Sequence, residues 1–192
     1  NRVLLIEAGG EDNSLLTKIP RTFIQALGQP AQVWSFPADP QAPGPNPFWV
    51  RGKVLGGSSA VNGMVYMRGR PDDYDGLGLP GWDWAHVGRA FVAMENHQLG
   101  AAQDRGQGGP LDVTVHPDRT ELCDAMIEAA SAAGATPTED LNQEDGAAVG
   151  YQPCTVKDGI RVSAARAFLE PIRHARNLTI MTLTETDRVV FE

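Results

Sequence analysis

Arg51-Gly52-Lys53-Val54-Leu55-Gly56-Gly57-Ser58-Ser59-Ala60-Val61-Asn62-Gly63-Met64 is the stretch on which the reading of this chain turns. Gly56 and Gly57 remove two Cβ atoms, so that backbone can approach a ligand closely. Ser58 or Ser59 is the kind of residue that caps a helix, here one expected from about Ala60 to Met67. N–H groups exposed at such a helix start form an anion site suited to a pyrophosphate, although a structural turn explains a Gly-Gly-Ser-Ser run equally well.

Upstream, Val3-Leu4-Leu5-Ile6 is apolar on both faces and closed by Glu7-Ala8-Gly9-Gly10, the pattern of a buried parallel strand in the middle of an α/β sheet. Glu11 to Pro47 is loop-rich, with one helix expected near Leu15 to Leu27. Pro30, Pro37, Pro40, Pro43, Pro45 and Pro47 follow, a density that argues against regular elements and for an extended surface connection. Downstream, Pro71 to Trp84 is turn-rich, and Trp84 to Gln98 has helical spacing with Val87, Phe91 and Met94 on one face. Leu111 to Val115 alternates like a half-buried strand. Thr120 to Ala133 reads as a helix with Leu122, Ala125, Met126, Ala129 and Ala133 in one stripe and Gly134 as its stop. Ser163 to Arg173 reads as a shorter helix interrupted near Pro171, and Leu178 to Thr182 and Asp187 to Glu192 as two short strands. An α/β opening, a mixed middle and a return to strand is the order that a discontinuous domain with an insertion produces.

Composition narrows the function classes. The 192 residues are 42% hydrophobic and 21% charged, a globular balance with no apolar run of membrane-spanning length. The start lacks the basic region, apolar stretch and cleavage site of a secretory signal. A net charge of −8 argues against nucleic-acid or anionic-membrane partners, which reward clustered positive charge. Cys123 and Cys154 form neither a CxxC pair nor a disulfide framework, and are read as reduced thiols in a cytoplasmic protein. Glycine and proline, 21 and 14 residues, together exceed the roughly 12% of average usage without a short period, pointing to loops and backbone-mediated sites. No metal-ligand spacing occurs.

From Gly52 to Asp75 the chain resembles the first signature of the glucose-methanol-choline (GMC) family of flavin-dependent oxidoreductases: Gly-Lys-x-Leu-Gly-Gly-Ser-Ser-x-Val-Asn, then Tyr66, Gly69 and Asp75. Arg2 to Gly10 is similar to that family's second strand, and Ser163 to Leu169 with Asn177-Leu178-Thr179 to its later landmarks. The resemblance implies a mixed α/β (α+β) fold: part of a Rossmann-like FAD-binding domain in 1–75, the start of an inserted substrate-binding domain in 76–175, and return strands in 176–192. It also implies FAD as cofactor. Glu7 would meet the adenosine ribose as the acid closing a second strand does. Val54, Gly56, Gly57 and Ser58 would run along the cofactor, and Asn62, Gly63, Met64 and Val65 would lie beside the isoalloxazine. Thr186 stands where many relatives place a valine whose main chain meets the adenine. Val61 occupies the position where some relatives carry a histidine bonded to flavin, which implies a dissociable cofactor. The implied reaction is oxidation of the CH–OH group of a small-molecule alcohol by hydride transfer to flavin. The family's histidine base belongs to a C-terminal motif beyond this chain, as does the first GxGxxG loop at the other end, so no catalytic residue is expected within it. Two other readings stay open: a fragment that only folds or binds, and a hydroxynitrile-lyase-type flavoprotein.

Other residues take plainer readings. Gly76-Leu77-Gly78-Leu79-Pro80-Gly81 satisfies GxGxxG literally, but a charged turn precedes it and Pro80 removes an N–H, so it is read as a crossing and not a nucleotide loop. His86, His97, His116 and His174 are read as surface residues. Trp82 and Trp84 are read as anchors of the crossing, Cys154 as packing, and Lys53, Arg68 and Arg70 as a helix-end and salt-bridge cluster.

Overall fold

Val3–Ile6 does form a parallel strand, and its partner comes from the far end of the chain: Val3 pairs with Leu178 and Ile6 with Met181 in the Leu178–Met181 strand. The computed structural model describes residues 1–38, 48–116, 118–143 and 146–191. These divide into two compact units, one of residues 1–64 and 158–192, the other of residues 65–157.

In the first unit the strand pair is not the buried sheet centre that its composition suggests. Val3, Leu4 and Ile6 are exposed, and among the described residues their strand pairs only with Leu178–Met181. The expected helix from Leu15 to Leu27 is broken in three. Leu15–Lys18 is capped by Ser14, whose Oγ accepts from Leu16 N at 3.2 Å, Pro20–Thr22 is a 3-10 turn, and Phe23–Leu27 resumes the α-helix. Pro20 interrupts the run because it has no N–H to give the preceding turn.

The proline-rich connection also departs from expectation. Val33–Pro37 pairs antiparallel with Phe48–Gly52, Trp34 opposite Arg51 and Phe36 opposite Trp49. Pro37 is tolerated because it ends its strand; Pro40, Pro43, Pro45 and Pro47 lie outside the described residues. Ala26, Val33, Val54, Ala60 and Val61 form the core of this unit, with Leu16, Leu27 and Val50 packed against it. The segment expected as a helix from Ser163 to Arg173 is a π-turn at Ala165–Leu169 followed by a 3-10 turn at Glu170–Ile172, where Pro171 sits. Asp187 to Phe191 carry no strand, contrary to the short strand expected there.

In the second unit Trp84–Met94 is helical, with Asp83 Oδ1 accepting from His86 N at 3.0 Å as its N-cap. The helix stops short of Gln98 because Glu95–His97 leaves it as a strand, parallel to Leu111–Val113. Trp84 packs on Tyr74 and Phe91 with ring centroids 5.6 and 6.2 Å away, while Trp82 is exposed. Gly76 to Gly81 follows the Pro71–Asp75 helix, not a strand, and turns through positive φ at Gly78 and Gly81. Glu121–Ala132 is a helix capped by Thr120 and closed at Gly134 with φ +102°. Its apolar stripe is not core in this chain, since Leu122 is 72% and Met126 63% exposed.

Candidate functional site

Glu7 and the glycine-rich loop, distant in sequence, are brought together in the first unit by backbone contact. Gly10 forms a parallel bridge with Val54, and Leu55 N donates to Gly10 O at 2.8 Å. A Cβ on Gly9 would lie 1.8 Å from Lys53 O, so this approach exists only because residue 9 is glycine. Gly52 is equally closed: a Cβ there would lie 2.2 Å from Gly57 O.

The loop itself differs from the capped helix expected from Ala60 to Met67. Gly56 and Gly57 adopt φ of +92° and +59°, Gly57–Ala60 makes a single 3-10 turn, and the chain turns again before Met64 at φ +62°. Left-handed glycines and the Asn62-Gly63 pair are turn chemistry, and they outweigh the capping signal. Ser58 accordingly caps no helix; its Oγ accepts from Gly52 N at 3.0 Å. Asn62 Oδ1 accepts from Met64 N at 2.9 Å, which holds the second turn.

Arg161, which carried no sequence signal, and the segment from Ser163, read from sequence only as a helix and a family landmark, brace this loop. Arg161 is 2% exposed, and its guanidinium donates to Thr17 O at 2.7 Å, Ser59 O at 3.1 Å and Asn62 Oδ1 at 2.8 Å. Ser59 Oγ accepts from Ala164 N at 2.8 Å and donates to Gly56 O at 2.6 Å. Ser163 Oγ donates to the Asp12 carboxylate and accepts from Arg166 N at 3.2 Å. Burial pushes the Arg161 guanidinium below its ordinary value, and the Asp12 charge opposes that. Asp12, Thr17, Leu55, Arg161 and Ala165 line part of a cavity of about 280 Å³.

The residues expected to hold a cofactor are placed as follows. Glu7 is half-buried at the strand end, its Oε1 accepting from Gly9 N at 2.8 Å and its carbonyl from Thr184 N at 3.0 Å. Val54 and Met64 are buried, and Gly56 backs onto Ala165. Gly57 has nothing within 4 Å of where a Cβ would stand, and Ser58, Asn62 and Gly63 are exposed. Val65 belongs to the second unit, bridges Cys154 and is 47% exposed. Thr186 is exposed in irregular chain beyond the Leu178–Met181 strand. Val61, where a covalent link would need histidine, points into the core. The Gly57 edge is thus bare backbone, with the exposed Ser58 and Asn62 side chains in the same loop.

The second unit holds buried ion pairs instead. Arg68 Nη2 meets Glu95 Oε2 at 2.7 Å, and Arg105 Nη1 meets Asp140 Oδ2 at 2.7 Å. Gly106 N also donates to Glu95 Oε2, at 2.6 Å. His97, read as a surface residue, is buried beside them at 3% exposure because the short strand Glu95–His97 turns it inward. Its Nδ1 accepts from Leu99 N at 3.1 Å, and burial pushes its pKa down, with Asp140 and Glu95 opposing. His86 and His174 are exposed, His86 pairing with Asp83 at 2.7 Å. Lys53, in the first unit, sits over the Trp34 ring at 4.0 Å. Among the described residues no group of His, Cys, Asp and Glu is placed to hold a metal, and no helix is long and apolar enough to cross a membrane.

Comparison with known proteins adds relatives to this geometry. Mouse mitochondrial choline dehydrogenase is 37% identical over 205 residues, covering 100% of this chain and 34% of the relative. The chain thus spans about a third of the length of the curated relatives it matches. Among solved structures, pyridoxine 4-oxidase from Mesorbium loti superposes with a TM-score of 0.87 at 34% identity, over 95% of this chain and 37% of that one. An FAD-dependent oxidoreductase from Chaetomium thermophilum gives 0.79 at 27% identity, over 94% and 34%. The family model described as GMC oxidoreductase matches residues 5–192, so that sequence signature, fold and relatives agree and the chain belongs to the GMC oxidoreductase family.

Proposed function

We propose that this chain is the cofactor-holding part of an FAD-dependent oxidoreductase acting on the CH–OH group of a small-molecule alcohol. The observation that carries the proposal is the junction of Glu7 with the open Gly57 edge through the Gly9–Lys53 and Gly10–Val54 contacts. A carboxylate at the end of a parallel strand suits a ribose, and the loop from Val54 to Met64 offers bare backbone and an exposed carboxamide to the flavin. Thr186, two residues beyond the Thr184–Glu7 hydrogen bond, belongs to the proposed adenine end. Hydride acceptance from the alcohol carbon is the chemistry that a bound flavin supplies; these residues bind and orient it.

The same reading gives the cofactor to 1–75 and 176–192 and the substrate to 76–175. Supporting a discontinuous arrangement, one compact unit is built from both ends of the chain, with bounds of 1–64 and 158–192 in place of 1–75 and 176–192. Val61, buried and without a nucleophile, supports a dissociable cofactor. Two free thiols, Cys123 and Cys154, suit a reducing, cytoplasmic setting.

The test is anaerobic titration of the full-length protein with choline, pyridoxine, aryl and aliphatic alcohols, followed by flavin absorbance. Bleaching by an alcohol, and release of the flavin into the supernatant on acid precipitation, are the expected results. A purified protein that takes up no FAD, or whose flavin no alcohol reduces while a cyanohydrin is cleaved, would overturn the proposal.

A further inference from the structure

Asn62 has one acceptor and one two-hydrogen donor on its side chain, and the structure fixes which faces outward. Oδ1 accepts from Met64 N at 2.9 Å and from Arg161 Nη1 at 2.8 Å. A guanidinium has only donors, so Arg161 accepts no alternative orientation in which the Asn62 amide is turned over. The carboxamide NH2 is therefore left on the exposed side of the loop, next to Gly63. Arg161 is itself immobilised, since the same guanidinium donates to the carbonyls of Thr17 and Ser59 inside the protein. A buried cation is costly unless it is hydrogen-bonded, and Arg161, 2% exposed, is held by three acceptors.

From this we infer that Arg161 is a positioning residue for the cofactor: it locks Asn62 so that its NH2 is presented as a hydrogen-bond donor to an acceptor atom of the flavin ring. The inference rests on the proposed function and deepens it. In this role Arg161 acts through the amide. A rotatable Asn62 would spend part of its time offering a carbonyl oxygen to an acceptor, and the donor would have to be ordered on binding.

The experiment is a double-mutant cycle on the full-length protein, reading FAD dissociation constant and flavin absorption spectrum. Asn62→Ala and Arg161→Met are each expected to weaken FAD binding about tenfold, the worth of one well-placed hydrogen bond, and to shift the flavin absorption band in the same direction. In the Asn62→Ala background, Arg161→Met is expected to add less than about twofold, because its route to the flavin is gone. Should Arg161→Met not fold, Arg161→Lys carries the cycle: it keeps the charge but not the planar fork that reaches three acceptors. Single effects that multiply, or an Arg161 variant with the parent spectrum and affinity, would overturn the inference. Absence of FAD binding by the unmutated protein would instead refute the proposed function, and the two failures are told apart by that one control.

Discussion

Replacing Gly9 and Gly57 by alanine separates the chain's own packing from its proposed cofactor contact. At Gly9 the added methyl would lie 1.8 Å from Lys53 O, whereas real Cβ contacts do not fall below 3.0 Å, so strand end and loop must part by about 1.2 Å. Inserting a methyl into a well-packed core costs about 1–3 kcal/mol. Here both sides are backbone, and parting them also loosens the Leu55–Gly10 hydrogen bond, worth about 1 kcal/mol. Gly9→Ala should therefore destabilise the apo-protein by about 2–4 kcal/mol. At Gly57 the methyl meets nothing within 4 Å, and only the φ of +59° resists it. Left-handed strain of about 1–2 kcal/mol, less the entropy the alanine removes from the unfolded chain, leaves about 1 kcal/mol. If the open edge holds the cofactor, however, that methyl stands in its place. Urea denaturation of the apo-proteins and fluorescence titration with FAD read the two quantities separately. Gly57→Ala should lose at least tenfold in FAD affinity at near-normal stability. Gly57→Ala binding FAD within twofold of the parent would refute the cofactor edge, and Gly9→Ala unfolding within 1 kcal/mol of the parent would refute the close approach.

Three further outcomes follow from the second unit. Glu95→Gln leaves the Arg68 guanidinium buried without its countercharge and should lower urea stability by about 3–5 kcal/mol. His97 binds its proton less readily folded than unfolded, so stability should fall as pH drops below 6.5 and on through the lowered folded value; His97→Gln should flatten that part of a stability-against-pH curve. In the native protein one thiol should react rapidly with iodoacetamide, the exposed Cys123, while Cys154, buried and with its pKa pushed up by that burial, reacts only after unfolding; peptide mapping by mass spectrometry checks this, and equal labelling would count against the packing around Cys154.

What was legible in the sequence was written in neighbouring residues. Thr120 and Gly134 bracket their helix because a cap and a stop act within one turn. Gly52 to Met64 announced backbone proximity through its glycines, and Val3–Ile6 announced a parallel strand through its unbroken apolar run. The failures are non-local. Proline counting missed the Val33–Pro37 and Phe48–Gly52 pair because breakers are scored along the chain, whereas a strand exists only with its partner. The capping reading of Ser58 failed because Gly52 N, six residues earlier, offered the hydroxyl a donor first. His97 looked polar and peripheral until a three-residue strand turned it inward.

Arg161 is the sharpest case, because nothing near it in sequence hints at its partners. Asn62 lies 99 positions away and Thr17 144, so the contact is a product of the two chain ends closing into one unit. The same closure sorts the glycines, which look alike in sequence. Gly9 and Gly52 are required by close contact, since each touches backbone that a methyl would displace, while at Gly57 a methyl meets nothing within the described residues and only the φ of +59° favours glycine. Two closed glycines beside an open one make a rigid frame, and rigidity is what lowers the ordering cost of binding. An open glycine on a mobile loop would be a hinge. Held between the Gly52–Ser58 and Arg161–Asn62 hydrogen bonds, it is instead a fixed edge.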